Sequence, residues 1–165
     1  MKNKQIKDYI RESYHLDALT IDGQQFSAIT TSLPITILLN HYKVDGSFGT
    51  RTDSGYQRKL GNKRVKELSK RIIEDDVLLP LNFTVNIRNS LAFKEVKNNK
   101  FTYVPNVHGK LFVVDGQHRT LALEMAFKET IEMISKGELE GTDVINRLEK
   151  KKVPVLINFT EDVIE

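Results

Sequence analysis

Between Val113 and Ala126 the chain reads VVDGQHRTLALEMA. An apolar strand that runs through a glycine into a helix leaves the first-turn amides without intrahelical partners at the strand's end. There, with the helix dipole, they can hold an anion. Gly116 lets the backbone approach a ligand closely, because no side chain stands in the way. Arg119 supplies a planar fork matched to phosphate oxygens, and His118 a second donor, partly charged near neutral pH. Asp115 could cap the helix or hold a divalent cation, capping being the commoner use of an aspartate there. Singly, each residue has a plain structural reading: a turn glycine, a polar helix start, a surface arginine. Four of them side by side, straight after an apolar strand, point to a phosphate site.

A second concentration of charge lies upstream. From Gln57 to Arg71 there are seven basic residues against one acid, Glu67, in a chain whose overall charge is only +3. Such a run is most often the solvated face of a helix. It is also the kind of field that attracts nucleic-acid phosphates, with Lys59, Lys63, Arg64, Lys66 and Lys70 as the candidate DNA contacts. Asp22-Gly23-Gln24-Gln25 imitates the downstream motif, but a strand and not a helix follows it, so it reads as a turn. The sequence has no G-x-x-x-x-G-K-[ST] loop, no H-E-x-x-H and no G-x-S-x-G, which excludes the usual P-loop, zincin and hydrolase signatures. His15, His41 and His108 lie in unrelated contexts.

With 165 residues, 39% of them hydrophobic and 28% charged, the composition is that of one globular domain spanning residues 1–165. Zero cysteines exclude a disulfide scaffold, a thiolate-ligated metal and a thiol nucleophile. No apolar run approaches the roughly 18–20 residues of a membrane span, and the polar start does not resemble a secretory signal. A cytoplasmic location is the expectation.

The elements that must position these residues are legible in outline. Ile6, Ile10 and Tyr14 recur at helical spacing and predict a helical extension over residues 1–20. Phe26 to Leu33 reads as a strand, with Pro34 opening a helix that carries Ile35, Leu38 and Leu39. Lys43 to Gly55 is a loop by composition. Asn62 to Glu74 is an amphipathic helix, with Val65, Leu68 and Ile72 on one face and the basic cluster on the other. Leu81 to Arg88 and Lys100 to Val104 are strands, and Asn106 to Lys110 a turn. Lys110 to Val114 is the strand before the motif, and the helix after it runs to about Ser135, with Gly137 ending it. Thr142 to Lys152 is a further helix, and Val153 to Phe159 a closing strand. The class is α+β, since the strands are too irregularly separated for a doubly wound parallel sheet.

The pentapeptide Asp115–Arg119 resembles the signature of the DGQHR-domain family, which includes DndB-type proteins of bacterial DNA-modification systems. Gly55-Tyr56-Gln57-Arg58, followed by Lys63-Arg64-Val65-Lys66-Glu67-Leu68, resembles that family's upstream Gln-Arg and basic-helix segment, and Val153-Pro154-Val155 its closing strand. DndB-type proteins usually continue beyond that strand, so the resemblance reads as a minimal or truncated member. The same order of motifs resembles the wider ParB/sulfiredoxin-like fold, a single domain with a small mixed sheet and flanking helices. Sulfiredoxins carry a catalytic cysteine in this turn; here Gln117 takes that place, and a sulfinic-acid reductase is excluded. Related restriction factors with Gln at the position of His118 are nucleotide hydrolases.

The resemblance therefore implies a nucleoside triphosphate ligand (ATP, GTP or CTP) with Mg²⁺, turned over or used as a switch in DNA modification or phage defence. Its binding set would be Gln57, Arg58, Asp115, Gly116, Gln117, His118, Arg119 and Thr120. Asp115, Gln117 and His118 are the catalytic candidates, and Asp115 the metal ligand. Hydrolysis of this kind needs an oriented water and neutralised charge, not a covalent residue. The alternative is a DNA-binding regulator or scaffold without turnover, the turn gripping DNA phosphate. DNA, other DNA-modification proteins and a second copy of the chain are the implied partners.

Overall fold

Strict alternation decides the sheet. In Phe83–Ile87 every second side chain is buried, and Leu111 and Val113 repeat the pattern on the neighbouring strand. The period of two sends those residues to one face, where helices cover them. The computed structural model describes residues 5–22, 27–44, 62–75, 82–106 and 109–159. In chain order its strands are β1 (Tyr14–Asp22), β2 (Ser27–Pro34), β3 (Tyr42–Lys43), β4 (Phe83–Ile87), β5 (Phe93–Lys97), β6 (Lys100–Tyr103), β7 (Leu111–Asp115) and β8 (Lys152–Phe159). The helices are α1 (Ile35–His41), α2 (Asn62–Asp75), α3 (Gln117–Ser135) and α4 (Leu139–Lys150), with one 3₁₀ turn at Ile6–Tyr9.

The strands form one curled mixed sheet in the order β3-β7-β4-β8-β2-β1-β6-β5. β7 is antiparallel to β4 and parallel to the two-residue edge strand β3, and β4 is parallel to β8. The chain is thus a mixed α/β protein whose motif strand lies one in from an edge. α3 packs Ala122, Leu123, Ala126 and Phe127 into the core. Its small residues let α2 and α4 approach, with Val65 and Ile72 from α2 and Val144, Ile145 and Leu148 from α4. Polar ties fix the helices against their neighbours. The Tyr42 hydroxyl on β3 donates to Glu124 Oε2 on α3 at 2.5 Å. Ser69 Oγ of α2 meets Glu129 of α3 at 3.5 Å, and Arg147 of α4 donates to the Ile73 carbonyl at 3.0 Å.

Three strands differ from the sequence expectation. The helical extension over residues 1–20 is a single 3₁₀ turn, and Tyr14–Asp22 is β1. Tyr14, Leu16 and Ala18 alternate with exposed His15 and Asp17, a period of two that overrides the coincidental helical spacing of Ile6, Ile10 and Tyr14. Phe93–Lys97 is the edge strand β5, nearly all of it exposed, so it carries no apolar alternation. Its hairpin turn at Asn98-Asn99, with Asn99 at φ 60°, was the available signal. Lys43, expected in a loop, ends β3. The sheet is consequently larger than the small one expected. The fourth helix starts at Leu139, not Thr142.

β1 also completes a buried aromatic cluster. His41, 5% exposed, sits with Nε2 2.7 Å from the Tyr14 hydroxyl and edge-on to Tyr103. Burial, assisted by the charge of Lys110, pushes the imidazole down from its usual 6.5 to about 4. The folded protein holds the ring neutral while the unfolded chain takes up a proton near its ordinary value. Stability should therefore be full above about pH 6.5 and fall as pH drops toward 4. Between pH 6.5 and 5 the loss should be about 1.5 kcal/mol, read as the urea midpoint at each pH. His41→Gln should flatten that slope; an unchanged slope would assign it to another group.

Candidate functional site

The motif lies where the strand becomes the helix. β7 ends at Asp115, Gly116 takes the left-handed conformation (φ 97°, ψ 20°), and α3 begins at Gln117. Its N-cap, Gly116, has no side chain with which to cap the helix. Its first backbone bond runs from the Thr120 amide to the Gly116 carbonyl at 2.9 Å, doubled by Thr120 Oγ at the same distance. The amides of Gln117, His118 and Arg119 lie in the first turn, before that bond. Thr120 is buried, so its role is to close the turn.

Phe83, at the start of β4, is the residue that sequence reasoning missed. A Cβ on Gly116 would lie 2.7 Å from Phe83 Cδ1, so the glycine is required by packing as well as by its φ. The Arg119 guanidinium lies over the same ring, 4.9 Å from its centroid, and Nη1 donates to the Asn82 carbonyl at 3.2 Å. Its Nη2 is 3.5 Å from Asp115 Oδ2. Arg119 is 17% exposed and Asp115 71%. The carboxylate thus sits at the mouth, and the guanidinium is held behind it by the ring and a carbonyl. Burial lowers the Arg119 pKa, Asp115 opposes that shift, and the charge of Arg64 adds to it.

The influence of Arg64 places the basic helix. Arg64, in the first turn of α2, is near enough for its charge to act on Arg119 in the first turn of α3. Lys63, Arg64, Lys66 and Lys70 are all exposed, with Lys70 paired to Glu74 at 3.9 Å. Asp115, Gly116, Gln117, His118, Arg119 and Thr120 thus sit together at the strand–helix junction, with Arg64 of the basic helix close enough to act on Arg119. Gln117 is half-buried, and its Nε2 donates back to the Val113 carbonyl at 3.1 Å, which ties its side chain to the strand. Gln57, Arg58 and Lys59 lie outside the described residues, as do Gly23–Gln25 of the imitating turn. Among the described residues no group of three or more His, Cys, Asp or Glu side chains is arranged to hold a metal ion. No described helix is long and apolar enough to cross a membrane.

Fold and site together define a mixed α/β protein built on a strand–glycine–helix junction with a partly buried arginine behind it. Residues 16–165 match a family model described as DndB, DNA-sulfur modification-associated, and the chain belongs to that family. This associates it with DNA sulfur modification. No curated protein and no solved structure matches it.

Proposed function

We propose that the turn from Asp115 to Thr120 binds the phosphates of a nucleoside triphosphate, in a fold of the ParB/sulfiredoxin type, and that the bound nucleotide is hydrolysed or acts as a switch in DNA modification or defence. One observation carries the reading: a left-handed glycine at the N-cap and the first turn of a helix converge beside a partly buried arginine. Three successive amides, the helix dipole and a guanidinium suit a dianionic phosphate. Arg64, close enough to act on Arg119, would meet a second phosphate, as Gln57 and Arg58 would from the segment before α2. A magnesium ion arriving on the phosphates needs only one or two protein carboxylates, and Asp115 at the mouth of the turn fits that need. For hydrolysis, Gln117 or Gln57 would orient the water, with His118 among the groups that hold the phosphates.

The exposed lysines of α2 favour a second reading, in which they and the turn grip DNA phosphates. A thermal-shift series with ATP, GTP and CTP, each with and without Mg²⁺, tests the first. A ligand bound only by the folded state at about 100 times its Kd adds about 2.7 kcal/mol to stability, a shift of several degrees. Lys66→Ala should leave that shift unchanged and weaken duplex binding. If no nucleotide raises the melting temperature while Arg119→Ala and Lys66→Ala both lose duplex, the DNA reading replaces the nucleotide one.

A further inference from the structure

The sheet has a second face, opposite the helices, where the residues of β3, β7, β4 and β8 that point away from the core fall in register. Lys43 pairs with Phe112, Phe112 with Asn86, and Asn86 with Asn158. This row holds a base-sized aromatic ring, a cation and two amides, and no acid. The ring is already a cation platform. The Arg88 guanidinium lies over it at 3.9 Å from the centroid, and Lys43 Nζ at 5.7 Å. Phe112 and Arg88 are half-buried and Lys43 is exposed at the sheet edge. The acid that ends β7, Asp115, is engaged with Arg119.

A guanidinium over a phenyl ring makes a positively charged aromatic surface, and nucleobases stack on both arginine planes and aromatic rings. Lys43, exposed beside the ring, supplies charge for a backbone phosphate next to the stacked base. A duplex keeps its bases inside the helix, so this arrangement selects unpaired strands. We propose that the Lys43–Phe112–Arg88 face of the sheet binds single-stranded nucleic acid, one base stacking on the Phe112–Arg88 layer. This site is separate from the turn, and the proposal does not rest on the nucleotide reading.

Fluorescence anisotropy with labelled oligo-dT, oligo-U and a duplex of equal length tests it, on the full chain. Oligo-dT or oligo-U should bind more tightly than duplex, and the tighter of the two identifies DNA or RNA as the source. Phe112→Leu keeps an apolar side chain but removes the ring, and should weaken single-strand binding about tenfold or more. Lys43→Gln, at an exposed edge position, should lower the salt slope by about one even if the leucine variant folds poorly. Ultraviolet crosslinking of the unaltered protein to oligo-dT should label the peptide that contains Phe112. Tighter duplex binding, single-strand binding unaffected by both substitutions, or crosslinks confined to α2 would each overturn the proposal.

Discussion

Gly116→Val should lower the stability of this protein by about 2–5 kcal/mol, chiefly by breaking the fold at the turn before any question of ligand arises. Two effects add. Gly116 has φ 97°, a region that side-chain-bearing residues, and β-branched ones above all, occupy only with strain. A Cβ there would also stand 2.7 Å from Phe83 Cδ1 and 3.1 Å from Cε1. Phe83 is 2% exposed and packed in the core, so the ring has nowhere to go. Gly137 provides the internal control. Its φ is 77°, yet nothing lies within 4 Å of the Cβ it would gain. Gly137→Ala should therefore show the backbone strain alone, about 1–2 kcal/mol, and Gly116→Ala that strain plus the clash. Chemical denaturation of the two alanine variants measures the difference. Equal losses would mean that Phe83 yields, and the close approach would then be no constraint on the turn.

The requirement for Phe83 also shows where sequence reading stops. The motif, the strand before it and the helix after it were legible because local pattern sets all three: an apolar run, a glycine, then helix formers. The amphipathic α2 and the closing strand β8 were legible for the same reason. β5 was not, because an edge strand of the composition FKEVK buries almost nothing and so writes no alternation. β1 was misread because three residues at helical spacing outweighed an alternation that only its partners β2 and β6 make decisive. Within the site, the turn's residue types signalled phosphate chemistry, but nothing local connects Gly116 or Arg119 to Phe83 and Asn82. Those contacts exist because β4 is antiparallel to β7. Likewise the row Lys43–Phe112–Asn86–Asn158 joins four strands far apart in sequence, and no spacing rule gathers them.

Arg119→Ala should have two separable consequences. The side chain's bonds to the Asn82 carbonyl and Asp115, and its place over Phe83, together should contribute about 1–3 kcal/mol of stability. Removing a charge-assisted, forked phosphate contact should weaken nucleotide affinity about 10–100-fold. Arg119→Lys keeps the charge but not the fork, and should recover only part of either. Asp115→Asn distinguishes the roles of the neighbouring carboxylate. Asp115 holds one edge of the guanidinium, and Arg64 adds like charge within reach of it. Phosphate must compete with that carboxylate unless a magnesium ion draws it away. Without Mg²⁺, Asp115→Asn should therefore tighten nucleotide binding, because a neutral amide competes less for Arg119 and does not repel the phosphates. With Mg²⁺ the sign should reverse, since the same substitution removes a ligand from the ion. Isothermal titration of wild type and Asp115→Asn under both conditions reads that reversal directly. Tightening under both would leave Asp115 as the ion-pair partner of Arg119 and remove it from the metal site.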